Sequence, residues 1–229
     1  EIDTRWCIGY VDRPLLQVLC NVKYTLNKGP ISFINRVITD SITHFDDVTL
    51  RKMKYYIPLG STYNAYMRKS NFDKLVNTGK DIALLKCIII DSTQIPLFAK
   101  YKELQPSDIP QNYNPEMLQQ DINACKTDTL KITSQSESEF KGTVSLDEQK
   151  IMFFAIPNDE GWRVNIDGKE QRPINVSMGM MGMILEKGNH TIDLFYVRPF
   201  VKSGFIISLI FGGIFIGLAG FSIVKRKKA

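Results

Sequence analysis

The chain has 229 residues, 44% of them hydrophobic, and a formal net charge of +5 at pH 7. Four of those charges sit in Lys225–Lys228, which leaves +1 for residues 1–224 and argues against a nucleic-acid partner, since that would need a clustered basic face. The length suffices for one large domain or two small ones, each with its own core.

Asp12 followed by Pro14 reads as a helix start, with Asp as cap and Pro in the first turn, and LLQVLC supplies a short apolar helix ending near Asn21. Val22, Tyr24 and Leu26 then alternate with Lys23 and Thr25, the period of a half-buried strand, which Gly29-Pro30 stops. Strand-like pieces follow at FINRVI and KMKYYI, and Pro58-Leu59-Gly60 marks a turn ahead of Tyr63 and Tyr66. Ser70 with Asp73, and Thr78 with Asp81, have capping-box spacing, which predicts two short helices in tandem before the buried strand Cys87–Ile90. Residues 1–102 thus read as a mixed α/β subdomain.

From Glu103 to Asp128 the composition shifts to Pro, Gln, Asn and Asp, so residues 103–128 read as a linker with one short helix. That helix starts at Asn114-Pro115 and sets Leu118, Ile122 and Cys125 on one face. After Thr129 the segments LKITSQ, EFKGTVSL, KIMFFAI, WRVNID, RPINV, GMILE and HTIDLFYV arrive at close intervals with turn residues between them, the pattern of an antiparallel β-sandwich over residues 129–200. Its expected core is Val144, Phe153, Ile156, Trp162, Val164, Ile166, Ile192 and Leu194. Asp167-Gly168 is a two-residue hairpin turn, and Gly188-Asn189 is a second turn candidate.

Ser203–Val224 holds 22 residues without a charged side chain. At about 1.5 Å per residue such a helix covers the roughly 30 Å hydrocarbon core of a bilayer, which makes residues 201–229 a transmembrane helix with a basic tail. Positive residues beside a span stay in the cytoplasm, so residues 1–202 are expected to be extracytoplasmic, with the tail drawn to anionic membrane lipid. Residue 1 is Glu and no apolar leader opens the sequence, so the chain is expected to be part of a longer protein. Gly204, Ser208 and Gly212, with the Gly213/Gly217 pair, put small residues along the helix, where a neighbouring span could approach closely.

Only two histidines exist, His44 and His190, so no metal site, catalytic triad or cofactor motif is written locally, and no catalytic residue is assigned. Asp46-Asp47 and Asp159-Glu160 are either acid/base pairs or solvated turn residues. Trp162 and Tyr196 are candidate stacking residues for a glycan, with strand packing as the alternative; the Met-rich stretch Gly179–Met183 is an adaptable contact surface or a packed strand edge. Cys7, Cys20, Cys87 and Cys125 allow a Cys7–Cys20 bridge or buried thiols.

The segment GTVSLDEQKIMFFAIPNDEGWRVNIDGKEQRPINV, followed by GMILEKGNHTIDLFYVRP and an apolar span, resembles the C-terminal end of the bacterial YfhO family of polytopic membrane proteins. Gly161-Trp162, Asp167–Lys169 and Lys187–Tyr196 carry the likeness, and NVKYTL, YYIPLGSTYNAY and DIALLKCIII extend it upstream. The patterning of the residues gives the expected fold class, an α+β extracytoplasmic region with a C-terminal antiparallel β-sandwich, followed by one transmembrane α-helix. The resemblance implies a bacterial envelope protein with many membrane helices and a glycosyltransferase-like fold. It also implies a glycosyltransferase-like protein that decorates cell-envelope polymers such as teichoic acids from lipid-linked sugars. The family's catalytic acid lies in an early loop with no counterpart here, so this chain is expected to be a non-catalytic module. Its partners would be the remaining membrane helices of the same protein, membrane lipid, and a cell-envelope glycan or lipid-linked sugar. A single-anchor surface binding or adhesion protein is the alternative.

Overall fold

The computed structural model describes residues 13–227 and, in the last helix, the side chains of Val201 and residues 203–218. The chain is mixed α+β. Asp12 and Cys7, and with Cys7 the bridge to Cys20, lie outside the described residues. Helix α1 (Pro14–Leu19) has Pro in its first turn and buries Leu15, Val18 and Leu19. Strand β1 (Tyr24–Lys28) follows. FINRVI is helical, contrary to the strand expectation: the Ser32 hydroxyl accepts from the Asn35 amide at 3.3 Å, caps α2 (Phe33–Ile38), and Ile38 turns into the core. Strands β2 (Thr39–Phe45) and β3 (Val48–Met53) complete an antiparallel sheet in the order β1-β3-β2. KMKYYI therefore leaves its strand at Met53, and only Ile57 of its remainder is buried.

Next come β4 (Ser61–Tyr63), β5 (Ala65–Arg68), α3 (Lys69–Phe72), α4 (Asn77–Lys86), β6 (Ile88–Ile90), α5 (Ile95–Phe98) and β7 (Lys102–Glu103). Strand β5 lies between β6 and β7 and is parallel to both. Helices α3 and α4 cross from β5 to β6, as a parallel pair requires. The two expected capping boxes do not form, because α3 and α4 begin at Lys69 and Asn77 and so enclose Ser70 and Thr78 in their first turns. Asp81 is instead buried and holds the Arg13 guanidinium through both Nε, at 3.3 Å, and Nη2. A carboxylate committed to that two-pronged pair ties α1 to α4 and has nothing left for a cap.

Helix α6 (Pro115–Lys126) starts as the sequence predicts: the Asn114 side chain accepts from the Met117 amide at 2.8 Å, and Leu118, Ile122 and Cys125 are buried. With Leu104 and Ile109, these residues place part of the 103–128 stretch in the first core, alongside Val18, Phe72, Ile82, Ile88 and Phe98.

The remaining strands are β8 (Lys131–Gln135), β9 (Glu139–Leu146), β10 (Lys150–Pro157), β11 (Trp162–Ile166), β12 (Lys169–Gln171), β13 (Ile174–Val176), β14 (Met180–Leu185) and β15 (Gly188–Tyr196). They form two antiparallel sheets, β12-β11-β15-β9-β8 and β13-β14-β10-β4, the second taking β4 from the N-terminal part. Val144, Val164, Ile192 and Leu194 of the first sheet share a second core with Met152, Phe154, Met181 and Met183 of the other, an arrangement compatible with a β-sandwich. Asp167 and Gly168 have φ of 52° and 83°, the pair of positive values a type I′ turn requires. RPINV is split at Arg172-Pro173: Pro lacks the donor a continuous strand would need, and β12 and β13 enter different sheets. Phe153 departs from the expected core. Strand side chains alternate, so Met152 and Phe154 face the second core while Ile151 and Phe153 face the first, where Phe153 meets Tyr63 edge-on at 5.9 Å.

The chain ends in α7 (Val201–Lys227). Residues 203–218 are exposed along it, and a Cβ added at Gly204, Gly212, Gly213 or Gly217 would meet nothing within 4 Å. At about 1.5 Å per residue that stretch covers about 24 Å, and among the described residues no helix is long and apolar enough to cross a membrane.

Phe154 is 0% exposed and Phe45 is 84% exposed. Phe154→Ala should therefore lower unfolding free energy by about 3–5 kcal/mol, whereas Phe45→Ala should stay within about 0.5 kcal/mol. Urea titration of both variants measures the difference, and equal losses would contradict the two-core packing.

Candidate functional site

Two hollows flank the C-terminal end of α6. The first, of about 500 Å³, is walled by Thr62 and Asn64 at the β4–β5 corner, Lys86 at the end of α4, Lys102 of β7, Asp121 of α6 and Lys150 at the start of β10. Lys86 Nζ lies 2.7 Å from Asp121 Oδ1, and the Tyr113 hydroxyl donates to Asp121 Oδ2 at 2.7 Å. Burial, then the bond to Asp121 and its charge, push the Tyr113 phenol well above its usual range, so it remains the donor. Lys150 Nζ pairs with Asp128 Oδ2 at 2.6 Å on the far side of the α6 terminus. The floor is closed by Tyr63, whose hydroxyl donates to the Leu84 carbonyl at 3.3 Å, and by Cys125, whose thiol donates to the Leu85 carbonyl. Burial pushes the Cys125 thiol up to about 11 and the Cys87 thiol up to about 12, so both are protonated small hydrophobes, not nucleophiles.

The second hollow, of about 630 Å³, spreads over the polar outer face of β8, β9 and β15 at Lys131, Thr143, Ser145, Asn189 and Thr191. Its rim holds His190, with Nδ1 2.7 Å from Asp167 Oδ2 and Nε2 2.9 Å from the Glu186 carbonyl oxygen. Two acceptors around one imidazole suit the doubly protonated ring. Burial lowers the His190 pKa, but the bonds to Asp167 and Glu186 and their charges outweigh it, and the net shift is upward. Asp167 moves the other way: the His190 hydrogen bond, then the Thr191 amide at 2.8 Å, lower it.

A third, smaller hollow of about 170 Å³ lies beside Trp162, Asp159, Arg163 and Arg172. Trp162 and Tyr196 are brought together, edge to face at 5.1 Å, but only Trp162 borders the hollow. The Tyr196 hydroxyl donates to Asp159 at 2.9 Å, and a Cβ on Gly161 would sit 2.5 Å from the ring, so Gly161 is the residue that permits this close approach. Trp162 is partly buried and packs against the second core. The acid pairs are turn residues: Asp46 sits at the β2–β3 tip with φ of 52°, Asp47 pairs with Lys28 at 2.6 Å, and Asp159 accepts from the Gly161 amide at 2.7 Å. Among the described residues no group of three or more His, Cys, Asp or Glu could hold a metal ion.

The lysine-walled hollow escaped sequence reasoning because its residues come from six elements scattered between Thr62 and Lys150. The available signal was weak: Lys86 and Lys150 each adjoin an apolar run, ALLKC and KIMFF, where a lysine has to reach a carboxylate or water.

Residues 110–208, from just ahead of α6 to within α7, match the model of the family described as bacterial membrane protein YfhO. This region is similar to the YfhO family. YfhO of Bacillus subtilis (strain 168) is 26% identical over 97 residues, which cover 42% of this chain and 11% of that protein. The chain thus matches about a tenth of the length of its YfhO relative. No solved structure matches the chain. The YfhO match contains α6, both sheets except β4, and the Trp162 and His190 surroundings; it leaves out the Thr62, Asn64, Lys86 and Lys102 walls of the first hollow.

His190 has a folded pKa above its ordinary 6.5, so its contribution to stability is complete below that value and is lost as pH rises through the folded pKa. Asp167 is lowered from 3.8, so its contribution is present above that value and lost as pH falls through the folded pKa. The staple between the β11–β12 turn and β15 is strongest between the two ordinary values. The thermal-midpoint gap between wild type and His190→Gln should shrink from about pH 5.5 to about pH 9. A gap constant over that range would show that the ring is not held as a cation.

Proposed function

We propose that this chain is the C-terminal extracytoplasmic module of a YfhO-like polytopic membrane protein, anchored by α7. The observation that carries the reading is the run Ser203–Val224, uncharged and continuous with the family-matched region, ending in Lys225–Lys228. Its 22 residues reach across a bilayer where the described part of α7 alone falls short. The four basic residues outweigh Arg198 and Lys202 at the other end and hold the tail in the cytoplasm, with residues 1–202 outside. Gly204, Ser208, Gly212, Gly213 and Gly217 give that helix small positions for packing against other spans of the same protein; Ser208 already bonds back to the Gly204 carbonyl at 2.9 Å, which satisfies its hydroxyl donor.

The whole protein is glycosyltransferase-like and acts on cell-envelope polymers, teichoic acids among them, with sugar from a lipid-linked donor. The module is non-catalytic and holds or covers the glycan acceptor, with Trp162 as the apolar platform at its small hollow. Expressed alone in membranes, the chain should transfer no sugar from a lipid-linked donor. For topology, the native cysteines are replaced by alanine and single cysteines are introduced at Asn158 and Lys227. In intact cells a membrane-impermeant thiol reagent should label the first and spare the second. Labelling at Lys227 would reverse the orientation and remove the extracytoplasmic assignment.

A further inference from the structure

We propose that the hollow walled by the β4–β5 corner, β7, the end of α4 and the start of β10 binds the phosphate group of an anionic ligand. Three lysines face it, Lys86, Lys102 and Lys150, against one acid, Asp121. Both oxygens of that acid are occupied, Oδ1 by Lys86 and Oδ2 by the Tyr113 hydroxyl, so it offers a ligand little acceptor capacity. The donors retain capacity, although Lys150 is also paired with Asp128 at 2.6 Å. Among the described residues the Lys102 ammonium and the Asn64 amide have no hydrogen-bond or ion-pair partner. Lys86, paired to one carboxylate oxygen, keeps two of the three donors an ammonium carries.

A donor-rich, acceptor-poor hollow discriminates between ligand chemistries. A sugar ring presents hydroxyls that must both donate and accept, and it favours an aromatic face; the aromatic ring here, Tyr63, is 5% exposed and bonded to Leu84. A phosphate presents only acceptors, and lysines approaching from different elements suit its tetrahedral oxygens as separate point charges. The carbonyl ends of α6 border the same hollow and repel an anion, which confines it to the Lys102 and Asn64 side. The 500 Å³ volume exceeds a bare phosphate, so the group is held as an ester whose substituent leads out. This proposal does not depend on the transferase-like reading, and its test does not use transfer.

The test uses the full chain in phosphatidylcholine nanodiscs, titrated calorimetrically with inorganic phosphate at constant ionic strength, with chloride as reference. Saturable phosphate binding is expected, weakened about tenfold or more by Lys102→Ala, largely retained by Lys102→Arg, and unaffected by Lys131→Ala in the neighbouring hollow. Lys102 is exposed, so the variant should fold; matching thermal midpoints check this. A second arm adds phosphatidylglycerol to the nanodiscs and follows acetylation of Lys102. Protection there without binding of free phosphate supports the proposal and identifies a lipid headgroup as the source. Equal binding by wild type and Lys102→Ala, an equal loss in Lys131→Ala, or no effect of either probe would overturn it.

Discussion

Strand β10 is buried on both faces, and most of the architecture follows from that. Ile151 and Phe153 enter the first core, while Met152 and Phe154 enter the second. Its two edges are also taken, by β14 on one side and by β4, from residues 61–63, on the other. Each of these side chains contributes on the order of 1.5–3 kcal/mol when removed from water, so neither half of the chain can be withdrawn without baring apolar surface on β10. The region matching the YfhO family begins at residue 110 and omits β4 together with most of the first core. As a physical unit it is incomplete: the sequence likeness runs across a core and not along its edge.

The candidate site lies on that seam. Thr62 belongs to the strand that joins the halves and Asn64 follows it at the corner, Lys150 opens β10, and Asp121 sits on the helix whose buried face closes the first core. A ligand there would touch both halves at once, and the ion pair Lys86–Asp121 already crosses the same line, with Lys150–Asp128 beside it. Pairs exposed at 14–24% of their side-chain area are sheltered enough to matter, yet open enough for an anion to share their lysines without complete desolvation.

What could be read from the sequence divides along the range of the interactions involved. Local chemistry was legible: Asn114 as a cap, Leu118, Ile122 and Cys125 as one buried face, and Asp167-Gly168 as a hairpin turn depend on neighbours within a few residues. The alternation of the C-terminal strands was legible too. Period two, however, says only that Phe153 and Phe154 face opposite ways, not that each side has a core of its own, and so Phe153 was assigned to the wrong one. FINRVI shows the weakness of β-branched composition against a single cap, since Ser32 and the burial of Ile38 decide for helix. Ser70 and Thr78 failed in the opposite sense: the spacing of a capping box was present, but Asp81 was already claimed by Arg13, 68 positions away. The lysine-walled hollow had only a weak local signature, because pairs such as Lys86 with Asp121 are separated by 35 positions.

A last element of the seam is stored in the backbone. Ser177, Met178 and Gly179 have successive φ values of 46°, 63° and 111°, and two of them are not glycine. Such conformations cost on the order of 1–3 kcal/mol each for a residue with a Cβ, so something must hold them. Ser177 is the means: its amide donates to the Ile89 carbonyl at 2.7 Å, and its hydroxyl accepts from the Ile89 amide at 3.2 Å. One residue thereby supplies both partners that the exposed edge of β6 lacks, and only the left-handed turn aims its two polar groups the same way. Unpaired, those groups on Ile89, itself 2% exposed, would be buried without partners at about 1–3 kcal/mol apiece. The strain at the turn and the satisfaction of β6 are therefore comparable in size. A glycine at 177 would relieve the first and keep its own amide for the Ile89 carbonyl, but it would leave the Ile89 amide without an acceptor, because it carries no hydroxyl. Serine is the small residue that accepts the strain and still closes the edge, which explains its place between a buried Val176 and an exposed Met178.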